Sequence, residues 1–398
     1  MTGIVTARAL GATDRGYLAF IFLLEAIVRQ VGSLGLPAAT AYFIARDRAG
    51  ARSVVRAMRA PAVIQLALLV LAQAALLWVF VLGDPQRVWQ AGLLTLALVP
   101  TMTGQEYALA ILQGQGRFRA YNVLRSLPVT GYGAVIVLLF ATGSASLITI
   151  SIAYLVPSIV FVILMLYIAS KGLPRTTRSE TAPSRRQIFG FGVRGYLTAL
   201  SPVETFRLDQ VAVGLFLAPK ALGLYVVALS CTNLPRFIAN SVGAIAFPRV
   251  AHDQGTSGRR TMWRFTLLIT AIAAALIVPL ELTVGWLVPF FFGRAFAGAV
   301  VVARLLLVGV FFISIRRVLT DGARGIGFPG LGSIAEAGSW IALVPLLLIL
   351  LPRYGLDGVA AAMAISAAIS LAILVVALVR TSDTPVSRRG AVEASRSG

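Results

Sequence analysis

Residues 204 to 217 read ETFRLDQVAVGLFL, and Glu204, Arg207 and Asp209 put three ionisable groups within six residues of a stretch otherwise apolar enough to lie in lipid. Glu25 and Arg29 stand in a second such stretch, FIFLLEAIVRQVG, while Arg236, Arg125, Glu106, Glu281 and Glu336 stand in others. A charge at mid-membrane costs about 2.5–3.5 kcal/mol, so each of these groups needs a partner or a watery cavity. The chemistry open to them is specific. Guanidinium groups in such a setting bind anions, phosphates above all, which makes Arg29, Arg236, Arg207 and Arg125 the candidate anion-binding residues. Carboxylates there couple to H⁺ or Na⁺ movement, which makes Glu25, Asp209, Glu204 and Glu336 the candidate ion-coupling residues.

Pairing competes with function at several of these positions. Glu25 and Arg29 are spaced i, i+4 and Glu204 and Arg207 i, i+3, so each pair shares a helix face and has the geometry to neutralise itself. Asp209 falls on a different face from Arg207, and Arg236 has no acidic neighbour on its own helix; both must look elsewhere. Arg29 and Arg236 each lie thirteen positions into their apolar stretch, about 20 Å at 1.5 Å per residue, near the membrane centre. Arg125 and Arg194 lie about a turn from one end and Arg304 near the other, where a long side chain can snorkel to the headgroups instead.

Little else in the chain could do chemistry. Its one cysteine, Cys231, sits in an apolar run, which excludes a disulfide framework and a CxxC motif. Its one histidine, His252, lies in a polar stretch without HExxH spacing. Nucleophilic catalysis, metal binding and a cofactor are not expected, so the chain reads as a non-enzyme.

The elements that must position these charges follow from composition. The 398 residues are 58% hydrophobic and 13% charged, and the mean hydropathy of +0.87 belongs to polytopic membrane proteins. Apolar runs predict eleven complete spans, near 17–45, 60–83, 89–113, 121–142, 146–170, 189–213, 222–248, 263–284, 298–315, 331–351 and 358–379. The net charge of +20 is carried by arginines between these runs, which argues against nucleic-acid binding and for topology-setting loops that meet anionic lipid. Arg46, Arg48, Arg52, Arg56 and Arg59, Arg117 and Arg119, the 171–186 loop, Arg249 to Arg264, Arg316, Arg317 and Arg324, and the tail fall on one side. Arg15, Arg87, Lys220, Arg294 and Arg353 are on the other. The positive-inside rule makes the first side cytoplasmic, with the C-terminus inside.

An internal repeat organises the spans. An arginine stands thirteen positions after Gly16 and again after Gly223 (Arg29, Arg236), and Asp47 and Asp253 close the two stretches. GQGRFRAYNVLR and GIGFPGLGSIAE align likewise, with Arg125 opposite Glu336. The expectation is two pseudo-symmetric six-helix lobes, 1–180 and 181–380, followed by a cytoplasmic tail, 381–398. An odd number of spans leaves the opening MTGIVTARALG as the last turns of a largely missing first helix. Pro100, Pro128, Pro157, Pro202, Pro235 and Pro279, several beside glycines, are the expected helix-bending points.

ARALGATDRGYLA, RLDQ followed by LGLYVVA and AFPRVA, FFGRAFAGAVVVARLL and LPRYGLDGVAAAMAIS resemble the oligosaccharide flippases of polysaccharide biosynthesis, within the multidrug and oligosaccharidyl-lipid transporter superfamily. The resemblance implies an all-α, two-lobed, MATE-like fold with a cationic lumen. The implied substrate is an undecaprenyl-diphosphate-linked oligosaccharide, moved across the inner membrane for O-antigen, capsule or exopolysaccharide assembly, with a polymerase and a chain-length regulator as partners. Arg29 and Arg236 would then hold the diphosphate or acidic sugars, with Arg207 and Asp209 adjacent. The alternatives are a lipid II flippase, a cation drug exporter, for which the central arginines are the wrong sign, and a membrane polymerase or ligase, for which the outside loops are short.

Overall fold

The computed structural model describes residues 2–174, 183–197, 207–253 and 255–382. Glu204 and Pro202 lie outside these residues. Among the described residues all regular structure is helical: α1 (Thr2–Gly32), α2 (Leu36–Arg46), α3 (Ala51–Phe80), α4 (Gln86–Gly114), α5 (Phe118–Ala141), α6 (Leu147–Lys171), α7 (Arg185–Leu197), α8 (Leu208–Phe216), α9 (Pro219–Ser230), α10 (Asn233–Asp253), α11 (Gly255–Phe292), α12 (Ala299–Gly325) and α13 (Gly330–Ser382), with a short 3₁₀ turn at Arg294–Phe296. In hydrocarbon a helix is what lets a single segment satisfy its own backbone, and these apolar runs take that solution.

Helices α3, α5, α6, α11, α12 and α13 are each long and apolar enough to cross a membrane, and α1 with α2 (bent by 47°) and α9 with α10 (bent by 46°) qualify as bent pairs. The protein is an all-α, multi-pass membrane protein. The spans expected over 17–45 and 222–248 are these bent pairs rather than straight helices. Those expected at 331–351 and 358–379 are two limbs of α13, broken where Gly355 adopts φ 56°. Of the span expected over 189–213, the described residues form α7 up to Leu197 and α8 from Leu208, and 198–206 lie outside the described residues. The span expected at 298–315 runs on to Gly325, which puts Arg316 and Arg317 inside α12 rather than in a loop.

The bends at Gly11, Leu34–Gly35 and Gly355 fall at left-handed residues, whereas the bend between α9 and α10 falls just ahead of Pro235, one of the prolines singled out by sequence. Leu34 (φ 48°) and Gly35 (φ 67°) part α1 from α2, and Gly11 (φ 68°) breaks α1 near its start. Pro100, Pro128, Pro157 and Pro279 are carried within single helices. A proline forfeits one backbone bond, whereas a left-handed residue redirects the chain.

Contacts divide the chain into two units, Met1–Val226 with Phe291–Ala295, and Val227–Phe290 with Phe296–Gly398. The lobe boundary expected at residue 180 lies inside the first unit, because α7, α8 and the start of α9 pack there. The Tyr196 hydroxyl donates to the Gln30 carbonyl at 2.8 Å, and the Tyr225 hydroxyl donates to Asp209 Oδ2 at 2.8 Å. α1 and α9 meet at glycines in a reciprocal contact: a Cβ on Gly16 would stand 1.7 Å from the Pro219 carbonyl oxygen, and one on Gly223 would stand 2.0 Å from that of Ala12. These are the two glycines at which the repeated stretches begin.

In the first unit α4 is the central helix, packed against α1, α2, α3, α5 and α6. That position explains its polarity. Thr95, Thr101 and Thr103 are buried in protein rather than facing lipid, and the Thr95 and Thr101 hydroxyls donate to carbonyls of their own helix. Leu36, Ile44, Met58, Leu112 and Met165 form its main apolar core, joining α2, α3, α4 and α6. In the second unit Val250, Met262, Leu319, Leu331 and Leu374 join α10 to α13.

Candidate functional site

Glu25, Arg29 and Glu106 of the first unit come together near the end of α1. Arg29 sits in the last turn of α1, beside the break at Leu34 and Gly35, instead of midway along a continuous span. Its Nε donates to Glu25 Oε1 at 3.1 Å, the i, i+4 pairing that the spacing allows. Its Nη1 also donates to Glu106 Oε1 on α4. The Glu25 side chain is 6% exposed, that of Arg29 22% and that of Glu106 32%, so the carboxylate from the other helix is the accessible one. A cation in the last turn of a helix also meets the negative end of its dipole.

Arg207 adds a second positive charge within electrostatic reach of Glu25 and of Tyr154 on α6. It is exposed and precedes α8 in the left-handed region, at φ 47° and ψ 46°, a conformation that costs a non-glycine residue of order 1 kcal/mol or more. Asp209 is buried in the first turn of α8, bonded to Tyr225, and so is held within the protein. An aromatic path leads away from the ion cluster: Tyr154 packs on Phe22 at 5.1 Å and edge-on against Tyr132 at 4.9 Å. Tyr132 in turn lies within electrostatic reach of Arg15 on α1. The Nε of Arg15 is buried with no hydrogen-bond partner among the described residues.

Three carbonyls at the break, those of Gln30, Gly32 and Ser33, accept from side chains. Gln65 Nε2 of α3 donates to Gly32 O at 2.7 Å and Ser33 O at 3.2 Å, and Tyr107 donates to Gln65 Oε1 at 2.6 Å. Tyr196 takes Gln30 O. Tyr107 is the neighbour of Glu106 on α4, so the residue that braces Gln65 and the residue that holds Arg29 share a helix.

In the second unit Arg236 also stands at a break, in the first turn of α10 after the bend from α9. Its Nε is buried and has no hydrogen-bond partner among the described residues. A helix N-terminus and a guanidinium there both favour an anion. Glu336 of α13 accepts from Arg316 of α12 at 2.5 Å, and Asp321 takes Arg317 at 3.3 Å and Arg324 at 3.5 Å. Arg125 is exposed on α5 and makes no ion pair among the described residues; it does not join Arg29.

Sequence spacing therefore finds the Glu25–Arg29 pair and the lone Arg236. It misses Glu106 as the partner of Arg29, the Arg15–Tyr132–Tyr154 path and the half-buried pairing of Arg316 with Glu336. The profile of the family described as "Polysaccharide biosynthesis protein" matches residues 1–254, which include every residue of the cluster around Arg29 as well as Arg236. The chain belongs to the polysaccharide biosynthesis protein family. Among curated proteins none matches it.

Solved structures place this family member in a known fold. It is similar to the lipid II flippase MurJ in an inward closed conformation, with a TM-score of 0.70 at 16% identity over 95% of this chain and 85% of that one. The MATE multidrug transporter DinF-BH gives a TM-score of 0.62 at 15% identity, over 95% and 90%. A MOP superfamily transporter from Pyrococcus furiosus gives 0.58 at 17%, over 96% and 90%. At these identities the likeness establishes the fold, the MATE-like all-helical one that the resemblance implied.

Proposed function

We propose that the protein is a flippase that carries an undecaprenyl-diphosphate-linked oligosaccharide from the cytoplasmic to the periplasmic leaflet of the inner membrane, for surface polysaccharide assembly, by alternating access. Membership of a polysaccharide biosynthesis family supports the pathway, and a fold shared with a lipid II flippase and with drug transporters supports transport. No covalent bond changes in this reading. The delivered oligosaccharide would pass to a polymerase and its chain-length regulator.

The observation that carries the reading is the placement of Arg29 and Arg236 at the breaks of bent helix pairs, where backbone ends and guanidinium groups gather inside the membrane. Arg236, with an unpaired buried Nε, would take diphosphate oxygens directly. Arg29 would take them by exchange, releasing Glu106 while Glu25 remains beneath it. The freed Glu106 carboxylate would then be open to a proton, as intramembrane carboxylates of transporters are. Substrate binding and H⁺ uptake would be linked through that one contact, with Arg207 as the neighbouring positive charge. Na⁺ coupling is the variant in which the freed carboxylates take a metal cation instead.

Export of polymer to the cell surface by Arg29→Ala and Arg236→Ala variants, each confirmed to reach the membrane, tests the reading. Both should abolish export, and Arg236→Lys should retain part of it. Wild-type surface polymer from both alanine variants would defeat the proposal. Replacing the oligosaccharide carrier by lipid II in the same measurement separates the two flippase substrates, and a cation drug exporter would respond to neither.

A further inference from the structure

The start of α7 adds a feature that the transport reading does not use. A cavity of about 270 Å³ lies among α2, α3 and α7, lined by Leu36, Met58, Pro61, Phe189, Arg185 and Arg186. Its walls are apolar apart from two adjacent arginines, both exposed and neither in an ion pair among the described residues. Ser184 fixes where α7 begins, since its backbone N–H donates to Gln187 Oε1 at 2.8 Å and its hydroxyl accepts from the Gln187 N–H at 3.3 Å.

From Pro61, which lines the cavity, exposed apolar residues continue along α3. Ile64, Leu68 and Leu71 follow Pro61 at helical spacing on one face of α3, and they are 60%, 60% and 65% exposed. Further arginines, Arg56 and Arg59, stand exposed in the preceding turns of α3. Further along, α7 is held against α2 and the turn before it: Tyr42 stacks on Phe191 at 4.2 Å, and a Cβ on Gly35 would stand 2.4 Å from the Gly192 carbonyl oxygen.

We propose that this cavity is a binding site for one anionic phospholipid of the cytoplasmic leaflet, the side on which the basic loops place it. The phosphate sits on Arg185 and Arg186, the upper acyl chain fills the cavity against Met58 and Phe189, and the rest runs down the Ile64–Leu68–Leu71 face. Two guanidinium groups alone would serve any phosphate, and an apolar slot alone would serve any lipid. The two side by side, at the membrane edge, select a lipid that carries a negative headgroup. Because it rests on α2, α3 and α7, the site is independent of the substrate assigned above.

Native mass spectrometry of the purified full chain, delipidated and titrated with phosphatidylglycerol, phosphatidylcholine or glycerol 3-phosphate, tests the site. Phosphatidylglycerol should bind about 30-fold more tightly than phosphatidylcholine, as expected for two arginines near a membrane surface. Glycerol 3-phosphate should compete with neither. The Arg185→Gln/Arg186→Gln variant should lose the preference, Arg185→Lys/Arg186→Lys should keep most of it, and Met58→Trp, which fills the cavity, should weaken phosphatidylglycerol at least tenfold. Equal binding of the two lipids to the wild type, an unchanged preference in the double glutamine variant, or competition by glycerol 3-phosphate would each overturn the proposal.

Discussion

Arg29 on α1 bonds to Glu106 on α4 while holding Glu25 of its own helix, so one guanidinium at the end of a bent span is shared by a buried carboxylate and an accessible one. Removing it strands Glu25, which is 5% exposed. Arg29→Ala should lower unfolding stability in detergent by about 3 kcal/mol, whereas Glu106→Gln, which keeps an acceptor, should cost about 1 kcal/mol. A double-mutant cycle between the two positions should give a coupling of about 1–2 kcal/mol. Additive losses would mean that the contact contributes nothing.

Gln65 determines whether the bend keeps its shape. It donates to the Gly32 and Ser33 carbonyls and accepts from Tyr107, so Gln65→Leu takes this donor from two half-buried carbonyls at the break and leaves the Tyr107 hydroxyl without its acceptor. A loss of about 2–3 kcal/mol is expected, together with faster amide exchange over residues 30 to 36. Hydrogen exchange read by mass spectrometry checks the second effect, and unchanged exchange at the break would show that Gln65 is dispensable there.

Gly16 has no room for a side chain, since its Cβ position stands 1.7 Å from the Pro219 carbonyl oxygen. Gly16→Ala should therefore part α1 from α9 and lower the melting temperature by several degrees. Gly3→Ala, with nothing within 4 Å of its Cβ position, should be neutral and serves as the control. Equal melting temperatures for the two variants would contradict the close approach.

Asp84, in the turn between α3 and α4, has its carboxyl held above the ordinary range by partial burial, against the opposing pull of its hydrogen bond with Tyr17. A raised native pKa means that the folded state binds the proton more readily. The stabilising contribution is then complete below the unfolded value of about 3.9 and disappears as pH rises through the higher native value. The melting temperature of the wild type minus that of Asp84→Asn should fall over that window and level off above it. A difference that rises with pH would reverse the assignment.

How much of the fold and the site is legible in the sequence depends on how local the information is. Hydropathy marks where the chain crosses the membrane, and the i, i+4 spacing of Glu25 and Arg29 predicts a pair that forms. The repeat marks Gly16 and Gly223, which meet in the fold. Glu106 stands in the chain far from Arg29, and nothing local says that α4 packs against α1. The prolines suggest bends, and the one ahead of α10 lies beside Pro235; those at Leu34–Gly35 and Gly355 lie at left-handed residues instead, because backbone handedness leaves a weaker mark on composition than a missing N–H does. Hydropathy ends its span before Arg316 and so makes that residue part of a loop; its partner Glu336 on α13 lets the helix continue through the charges.

Intramembrane arginines acting on a lipid-linked diphosphate are the core of the transport reading. Reconstitution of the wild type, Arg29→Gln and Arg236→Gln into proteoliposomes carrying a fluorescent undecaprenyl-diphosphate-linked oligosaccharide, with leaflet exposure followed over time, measures that action. The wild type should move the lipid well above the protein-free rate, and each variant should be slower by about tenfold or more, the loss of one charge-assisted contact. A wild-type rate no greater than that of empty vesicles, or variants as fast as the wild type, would contradict it.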